Sequence, residues 1–172
     1  PSVPRVSLLS PSRLLFERTP PEKFATAFLA TIRLDEGVMT YVNAGHNPGL
    51  VVRADGATRW LEATGLPMGV LPGIEYQVGT VTLAADDVLV LYTDGITEAL
   101  SPDEEEYGTD RLLEVCTSHR ADDLPHLAAA IEDHLTAFAQ GVPFADDRTL
   151  VLLRRLAKAA TEPPSPPARA ET

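Results

Sequence analysis

The stretch "DVLVLYTDG", residues 87–95, decides the fold. Its apolar run from Val88 to Tyr92 is not interrupted by polar residues, which predicts a strand buried on both faces. The run leads to Asp94, and the glycine that follows, Gly95, allows another part of the backbone to come close. The sequence therefore predicts a central strand that ends in a carboxylate.

The segments on both sides of this strand have strand or helix periodicity. The predicted strands are FATAFLATIRL (24–34), VMTYVNA (38–44), PGLVVRA (48–54), YQVGTVTL (76–83) and RTLVLLRRL (148–156). Apolar residues at helical spacing predict helices over 109–119 and 123–139, with Asp122 or Asp123 as the N-cap and Gly141 as the stop. Strands followed by two helices and a returning strand predict an α+β layered domain.

The ends of the chain differ in composition from its middle. Residues 1–13 are predicted to be an irregular lead-in, and Leu14–Arg18 the end of a helix. The domain is expected to span 14–156. Residues 157–172 are rich in proline and are expected to be disordered, because such a composition cannot bury enough apolar area.

Composition and charge exclude several function classes. The chain has 172 residues and a formal net charge of −11, which argues against binding to nucleic acids. No apolar run approaches the ~20 residues of a membrane helix, so no membrane partner is expected. A single cysteine, Cys116, excludes an internal disulfide and a cysteine-based zinc cage, and it favours a cytoplasmic location. An anionic substrate would need positive charge from another source, such as metal ions.

Acidic residues lie next to two predicted strands. Asp94 follows the buried strand, and Asp146 and Asp147 precede the last one. If these strands are neighbours, the carboxylates converge at one edge of the sheet, and Mg²⁺ and Mn²⁺ prefer such oxygen ligands. Because a carboxylate that emerges from an apolar strand is costly to leave unpaired, a cation is an expected partner for Asp94. The alternative is that these residues belong to ordinary turns and solvated loops.

A histidine interrupts the strand pattern in "AGHNPG", residues 44–49. Glycine, asparagine and proline are common in hairpin turns, so His46 is compatible with a purely structural bend. The other interpretation is that the turn lies at the rim of a site. The sequence around the turn leaves both interpretations open.

Five segments occur in an order and spacing that resemble a known family. They are AGHNPG, TGLPMG, LYTDGITEA, EEEYG and ADDRTLVLLR. Together they resemble bacterial serine/threonine phosphatases of the stage II sporulation E type, in the PPM (protein phosphatase 2C-like) superfamily, from about Leu14 to Arg155. The resemblance implies a β-sandwich of two sheets flanked by antiparallel helices, in αββα layers. A purely structural α+β domain with coincidental motifs is disfavoured by the five ordered segments.

The resemblance also implies a chemistry. In this family two Mn²⁺ or Mg²⁺ ions hydrolyse a phosphoserine or phosphothreonine. Asp94, with Gly95, matches the family's Asp-Gly metal motif, Asp146 its second acidic motif, and Asp147 a supporting position. His46 would contact phosphate or water. The implied partner is a phosphorylated regulatory protein, an anti-sigma factor antagonist, in bacterial signalling.

The family's opening motifs are not found. The sequence contains no Gly-Asp dipeptide, and it resembles the part of the domain that follows the N-terminal strands. The resemblance therefore implies weak metal binding, slow hydrolysis and sheet edges that favour association, which leaves a homodimer open. A truncated, non-catalytic domain that serves as a protein-binding module is the alternative function.

Overall fold

The computed structural model describes residues 8–20 and 22–157. The helices are α1 (Leu9–Arg18), α2 (Asp94–Thr97), α3 (Gly108–Ser118) and α4 (Leu124–Ala139). The strands are β1 (Ala27–Arg33), β2 (Val38–Ala44), β3 (Gly49–Val52), β4 (Thr58–Leu61), β5 (Gly79–Thr82), β6 (Val88–Tyr92) and β7 (Leu150–Arg154). None of the helices in this part of the chain is long and apolar enough to cross a membrane.

The strands form two antiparallel sheets. One has the order β4-β3-β6-β7 and the other the order β1-β2-β5. Strand β6 lies between β3 and β7 and is buried except at the half-buried Leu91, in agreement with the burial that its apolar run predicts. Since side chains alternate along a strand, Leu89 packs between the two sheets, whereas Val88, Val90 and Tyr92 pack against the helices.

Three apolar layers follow from this alternation. Met39, Tyr41, Val51, Leu61, Val81, Leu83 and Leu89 fill the space between the sheets. Helices α3 and α4 cover the outer face of the four-stranded sheet through Leu112, Cys116, Leu127, Ile131 and Leu135. On the outer face of the other sheet, Val42 and Ala44 pack with Leu8, the residue that precedes α1. The predicted two-sheet sandwich with flanking helices is confirmed.

The helix boundaries confirm some predictions and correct one. The Asp123 side chain accepts a hydrogen bond from His126 N and caps α4, and the left-handed residues Gln140 (φ 47°) and Gly141 (φ 90°) end it. Helix α1 begins at Leu9, so the prediction of an irregular lead-in is wrong for residues 9–13. Pro11 is tolerated because the first turn of a helix does not use its backbone N–H groups. Residues 1–7 and most of the predicted disordered tail, 158–172, lie outside the described residues.

A buried carboxylate paired with a half-buried arginine fixes the end of the sandwich where β6 begins. The Asp87 side chain is 1% exposed and accepts hydrogen bonds from Ala84 N at 2.7 Å and Ala54 N at 3.1 Å. It also accepts one from Arg53 Nη1 at 2.5 Å. These contacts join the turn after β3 to the connection between β5 and β6.

One flank of the sandwich is apolar and exposed. Among the described residues, β7 pairs only with β6, and its side chains Val151 and Leu153 are 51% and 36% exposed. Nearby, a cavity of about 250 Å³ lies where β7 ends, lined in part by Ile32, Leu83 and Leu153. Strand β7 is therefore an edge strand with exposed apolar side chains.

Candidate metal centre

The candidate site lies where β6 ends and β7 begins. Tyr92 pairs with Leu150, and Thr93 N donates to Thr149 O at 3.1 Å, so the two backbone segments stay together one residue beyond the strands. Asp94 follows β6 on one segment, and the loop with Asp146 and Asp147 precedes β7 on the other. The expected convergence of the two acidic segments at one edge of the sheet is thus supported by the strand order. Burial raises the pKa of Tyr92, the last residue of β6, to about 12, so its phenol is neutral.

Gly95 makes this close approach possible. The glycine is buried, and a Cβ atom placed on it would lie 2.6 Å from the carbonyl oxygen of Asp147 and 3.2 Å from that of Asp146. Real Cβ atoms essentially never approach backbone atoms to 2.6 Å. The glycine in the Asp-Gly pair is therefore needed for packing against the loop.

Two of the three carboxylates, those of Asp94 and Asp146, are oriented by local hydrogen bonds. Asp94 Oδ1 accepts from Gly95 N at 3.0 Å, and Asp146 Oδ1 accepts from Asp147 N at 2.7 Å. All three aspartates are exposed to solvent. Asp94 is exposed although it follows the buried strand β6, whereas the next three residues of α2 are buried. Solvent access leaves the oxygens available to a hydrated cation.

Thr93 was not among the residues singled out from the sequence. Its Oγ1 accepts a hydrogen bond from Thr149 N at 2.9 Å and donates one to Asp147 O at 3.1 Å. The partners are 54 and 56 residues away in the chain, so only the pairing of β6 with β7 reveals the contact. The available signal was the position of Thr93 directly before the Asp-Gly pair.

Arg148 holds the same loop from the other side. Its Nη1 donates to both carboxylate oxygens of Glu132 in α4 at 3.0 Å, and its guanidinium lies 3.7 Å from the centre of the Phe144 ring. These contacts join the loop to the helix layer. Arg148 was also not singled out from the sequence.

His46 lies at the same end of the sandwich, because β3 begins at Gly49 and runs antiparallel to β6. The turn is fixed by Asn43, which is fully buried and accepts a hydrogen bond from His46 N at 2.8 Å. The imidazole Nδ1 lies 3.3 Å from Thr26 Oγ1. In the described chain, no hydrogen bond joins His46 to the three carboxylates, and its contacts favour the structural interpretation of the turn.

The donor set fits a hard divalent cation in type but not in number. Carboxylate oxygens are suitable ligands for Mg²⁺ and Mn²⁺, and Mg²⁺ is often held by only one or two carboxylates while it keeps several waters. Within residues 8–20 and 22–157, however, no group of three or more His, Cys, Asp or Glu side chains is arranged to hold a metal. The metal assignment of Asp94, Asp146 and Asp147 stays a prediction, and these residues would form only part of a tight site.

Comparison with known sequences gives a consistent result. The family model of Stage II sporulation protein E (SpoIIE) matches residues 4–156. Phosphoserine phosphatase RsbU of Bacillus subtilis is 30% identical over 147 residues, which cover 84% of this chain and 43% of RsbU. Protein IcfG of Synechocystis sp. is 30% identical over 132 residues, which cover 77% of this chain and 21% of IcfG. The chain thus spans less than half the length of these two relatives.

Solved structures share the same fold. The PP2C phosphatase domain of SpoIIE from Bacillus subtilis, with a fragment of its regulatory domain, gives a TM-score of 0.70 at 24% identity, covering 83% of this chain and 41% of that one. The RsbU and RsbW domains of a Mycobacterium tuberculosis protein give 0.66 at 28% identity, covering 85% and 40%. Both similarities agree with the two-sheet architecture.

Proposed function

We propose, because the chain belongs to the stage II sporulation protein E (SpoIIE) family of PPM-type phosphatases, that it takes part in the hydrolysis of a phosphoserine or phosphothreonine. The observation that carries the proposal is the meeting of two acidic segments, at Asp94 and at Asp146–Asp147, where β6 and β7 pair. The relative RsbU is named a phosphoserine phosphatase, which supports the same chemistry here.

The proposed site binds Mn²⁺ or Mg²⁺ through Asp94 and Asp146, with Asp147 supporting them. Such an ion, when bound, supplies positive charge to phosphoryl oxygens and lowers the pKa of a water ligand. The chain itself contributes the position of the carboxylates: Gly95 brings the two segments together, and the backbone N–H groups of Gly95 and Asp147 orient the Oδ1 atoms. Asn43 fixes the turn at the same end by accepting a hydrogen bond from the backbone N–H of His46.

The proposed substrate is a phosphorylated regulatory protein of the anti-sigma factor antagonist type, in cytoplasmic signalling. This follows from the family resemblance. It agrees with the charge of the chain: a net charge of −11 does not favour nucleic acid, whereas a metal centre would attract a phosphorylated side chain. The exposed position of the carboxylates leaves room for a protein substrate.

A second candidate function is a non-catalytic protein-binding module. Two observations favour it: the described residues contain no complete group of metal ligands, and the β7 flank exposes Val151 and Leu153. An exposed apolar flank beside an unpaired strand edge can accept a partner.

The experiment measures Mn²⁺ binding by electron paramagnetic resonance and phosphate release from a phosphoserine protein. Asp94→Asn and Asp146→Asn should each weaken Mn²⁺ binding and abolish any phosphate release. Asp133→Asn, an exposed carboxylate on α4, is the matched control and should change neither. Mn²⁺ binding without phosphate release supports the second candidate. Mn²⁺ binding that is the same in Asp94→Asn and in the unsubstituted chain contradicts the proposed site.

A further inference from the structure

We propose that Thr93 is a positioning residue, whose hydroxyl holds the Asp146–Asp147 loop in the place where it can share a cation with Asp94. This inference rests on the proposed function of the site. It adds to that function a residue that would neither bind the metal nor touch the substrate.

The Thr93 hydroxyl replaces the Thr93 carbonyl oxygen as a hydrogen-bond acceptor where β6 and β7 stop pairing. Beyond the last strand pair, Thr93 N donates to Thr149 O at 3.1 Å, as in an ordinary antiparallel pair. The reciprocal bond of such a pair would join Thr149 N to Thr93 O. Instead, Thr149 N donates to Thr93 Oγ1 at 2.9 Å. One of the two hydrogen bonds between Thr93 and Thr149 is therefore made by the Thr93 side chain and not by its backbone.

The same oxygen has a second bond, which reaches the acidic segment. Thr93 Oγ1 donates to Asp147 O at 3.1 Å. This carbonyl is the one that lies closest to Gly95. One hydroxyl thus ties down two points of the loop, at Asp147 and at Thr149, beside the glycine that requires close contact.

The common role of a threonine at this position does not explain these contacts. Thr93 is the N-cap residue of α2, where a threonine side chain normally accepts a hydrogen bond from the second or third N–H of the helix. In this helix, the Thr93 side chain makes no capping hydrogen bond. Its hydroxyl is directed across to the loop, so its contribution is to the loop and not to the helix.

Loss of the hydroxyl should release the loop without removing a ligand. Thr93→Val has nearly the same shape but cannot accept from Thr149 N or donate to Asp147 O. The carboxylates remain, but their geometry is no longer fixed from the β6 side. Replacement of residues that orient metal ligands typically weakens metal affinity by about 10–100-fold. Because Arg148 also holds the loop, we expect the lower end, about tenfold.

The test compares Thr93→Val, Thr93→Ser and Thr117→Val in the whole 172-residue chain. Thr93→Ser keeps the hydroxyl. Thr117→Val is the matched control, because Thr117 Oγ1 donates to Leu113 O at 2.8 Å within α3, far from the loop in the chain. Two quantities are measured: the Mn²⁺ dissociation constant by electron paramagnetic resonance, and hydrogen exchange of the Thr149 amide by NMR.

Thr93→Val should raise the Mn²⁺ dissociation constant about tenfold and speed exchange of the Thr149 amide, whereas Thr93→Ser and Thr117→Val should stay within about twofold of the unsubstituted chain. An Mn²⁺ affinity of Thr93→Val within twofold of the unsubstituted chain would overturn the inference, even if exchange is faster. So would a Thr93→Ser variant as weak as Thr93→Val. If Thr93→Val leaves Mn²⁺ affinity unchanged while Asp94→Asn weakens it, the inference fails and the proposed site stands. If Asp94→Asn leaves Mn²⁺ binding unchanged, or if the unsubstituted chain binds no Mn²⁺, the proposed site fails and the inference fails with it.

Discussion

Gly95→Ala tests whether the two acidic segments pack as closely as the structure indicates. The new Cβ would lie 2.6 Å from Asp147 O and 3.1 Å from Asp147 C. The distance from Cβ to Asp147 O must increase by about 0.8 Å to reach the ordinary contact distance of 3.4 Å. The obstructing atoms are backbone atoms, which Thr93 and Arg148 hold in place. The loop must therefore move as a unit, or β6 and β7 must separate where they end.

The expected loss of stability combines two opposing terms. Overpacking of this kind costs about 1–3 kcal/mol, whereas Gly→Ala in a permitted conformation gains about 0.4–1 kcal/mol through the unfolded chain. The net destabilisation should be about 1–2 kcal/mol, which lowers the Tm by roughly 2–8 °C in a domain of this size. Thermal unfolding followed by circular dichroism or calorimetry measures it.

Gly49→Ala is the matched control for Gly95→Ala. A Cβ on Gly49 would lie 2.8 Å from Leu91 Cδ2, which is the end of a half-buried side chain that can rotate away. Its Tm should therefore fall less. A Gly95→Ala chain that is as stable as the unsubstituted one, or more stable than Gly49→Ala, would refute the close contact at Asp147.

Three other predictions concern the scaffold and its titration. Asp87→Asn should cost about 2 kcal/mol in urea unfolding, because a buried carboxylate loses its charged hydrogen bonds to half-buried Arg53 and two backbone N–H groups, whereas its exposed neighbour Asp86→Asn should cost under about 0.5 kcal/mol; equal losses would contradict this. Burial raises the pKa of Cys116 to about 12, so stability in urea unfolding should fall as pH rises above about 8.5, and a Cys116→Ala chain should lack that slope between about 8.5 and 10, below the range in which buried Tyr92 contributes. Hydrogen bonds from His126, the backbone one first, lower the pKa of Asp123, which stabilises the fold above a pH of about 3.9. Helix content measured by circular dichroism should therefore fall as pH drops below that value, and less steeply in Asp123→Asn.

The sequence predicted most of the elements whose pattern is long or strongly apolar. Strand β2 has the predicted boundaries, and β6 follows its apolar run, because burial on both faces selects such residues. Strand β4 was missed, since it is only four residues long, two of them, Thr58 and Arg59, are polar and exposed, and it is recognised only by pairing with β3. Helix α2 was missed because four residues do not establish a helical period.

The candidate site was predicted in part for a similar reason. Asp94 and Asp146–Asp147 could be placed together because strand ends are visible in the sequence and neighbouring strands bring their ends together. Thr93 and Arg148 could not be found this way. Each acts through a partner distant in the chain, Asp147 in one case and Glu132 in the other. Such contacts have no periodic signature.

The charges of the loop itself explain why the proposed chemistry requires a cation. A phosphorylated side chain carries about −1.5 to −2 charges, and at this end of the sandwich it would meet three exposed carboxylates. Arg148 is the basic residue of the loop, but Glu132 accepts two hydrogen bonds from it at 3.0 Å, and its guanidinium is stacked on Phe144. Its charge is therefore already compensated. Phosphate and carboxylates repel each other unless a divalent ion lies between them and attracts both. A site this acidic can therefore carry out the proposed activity only when the ion is bound.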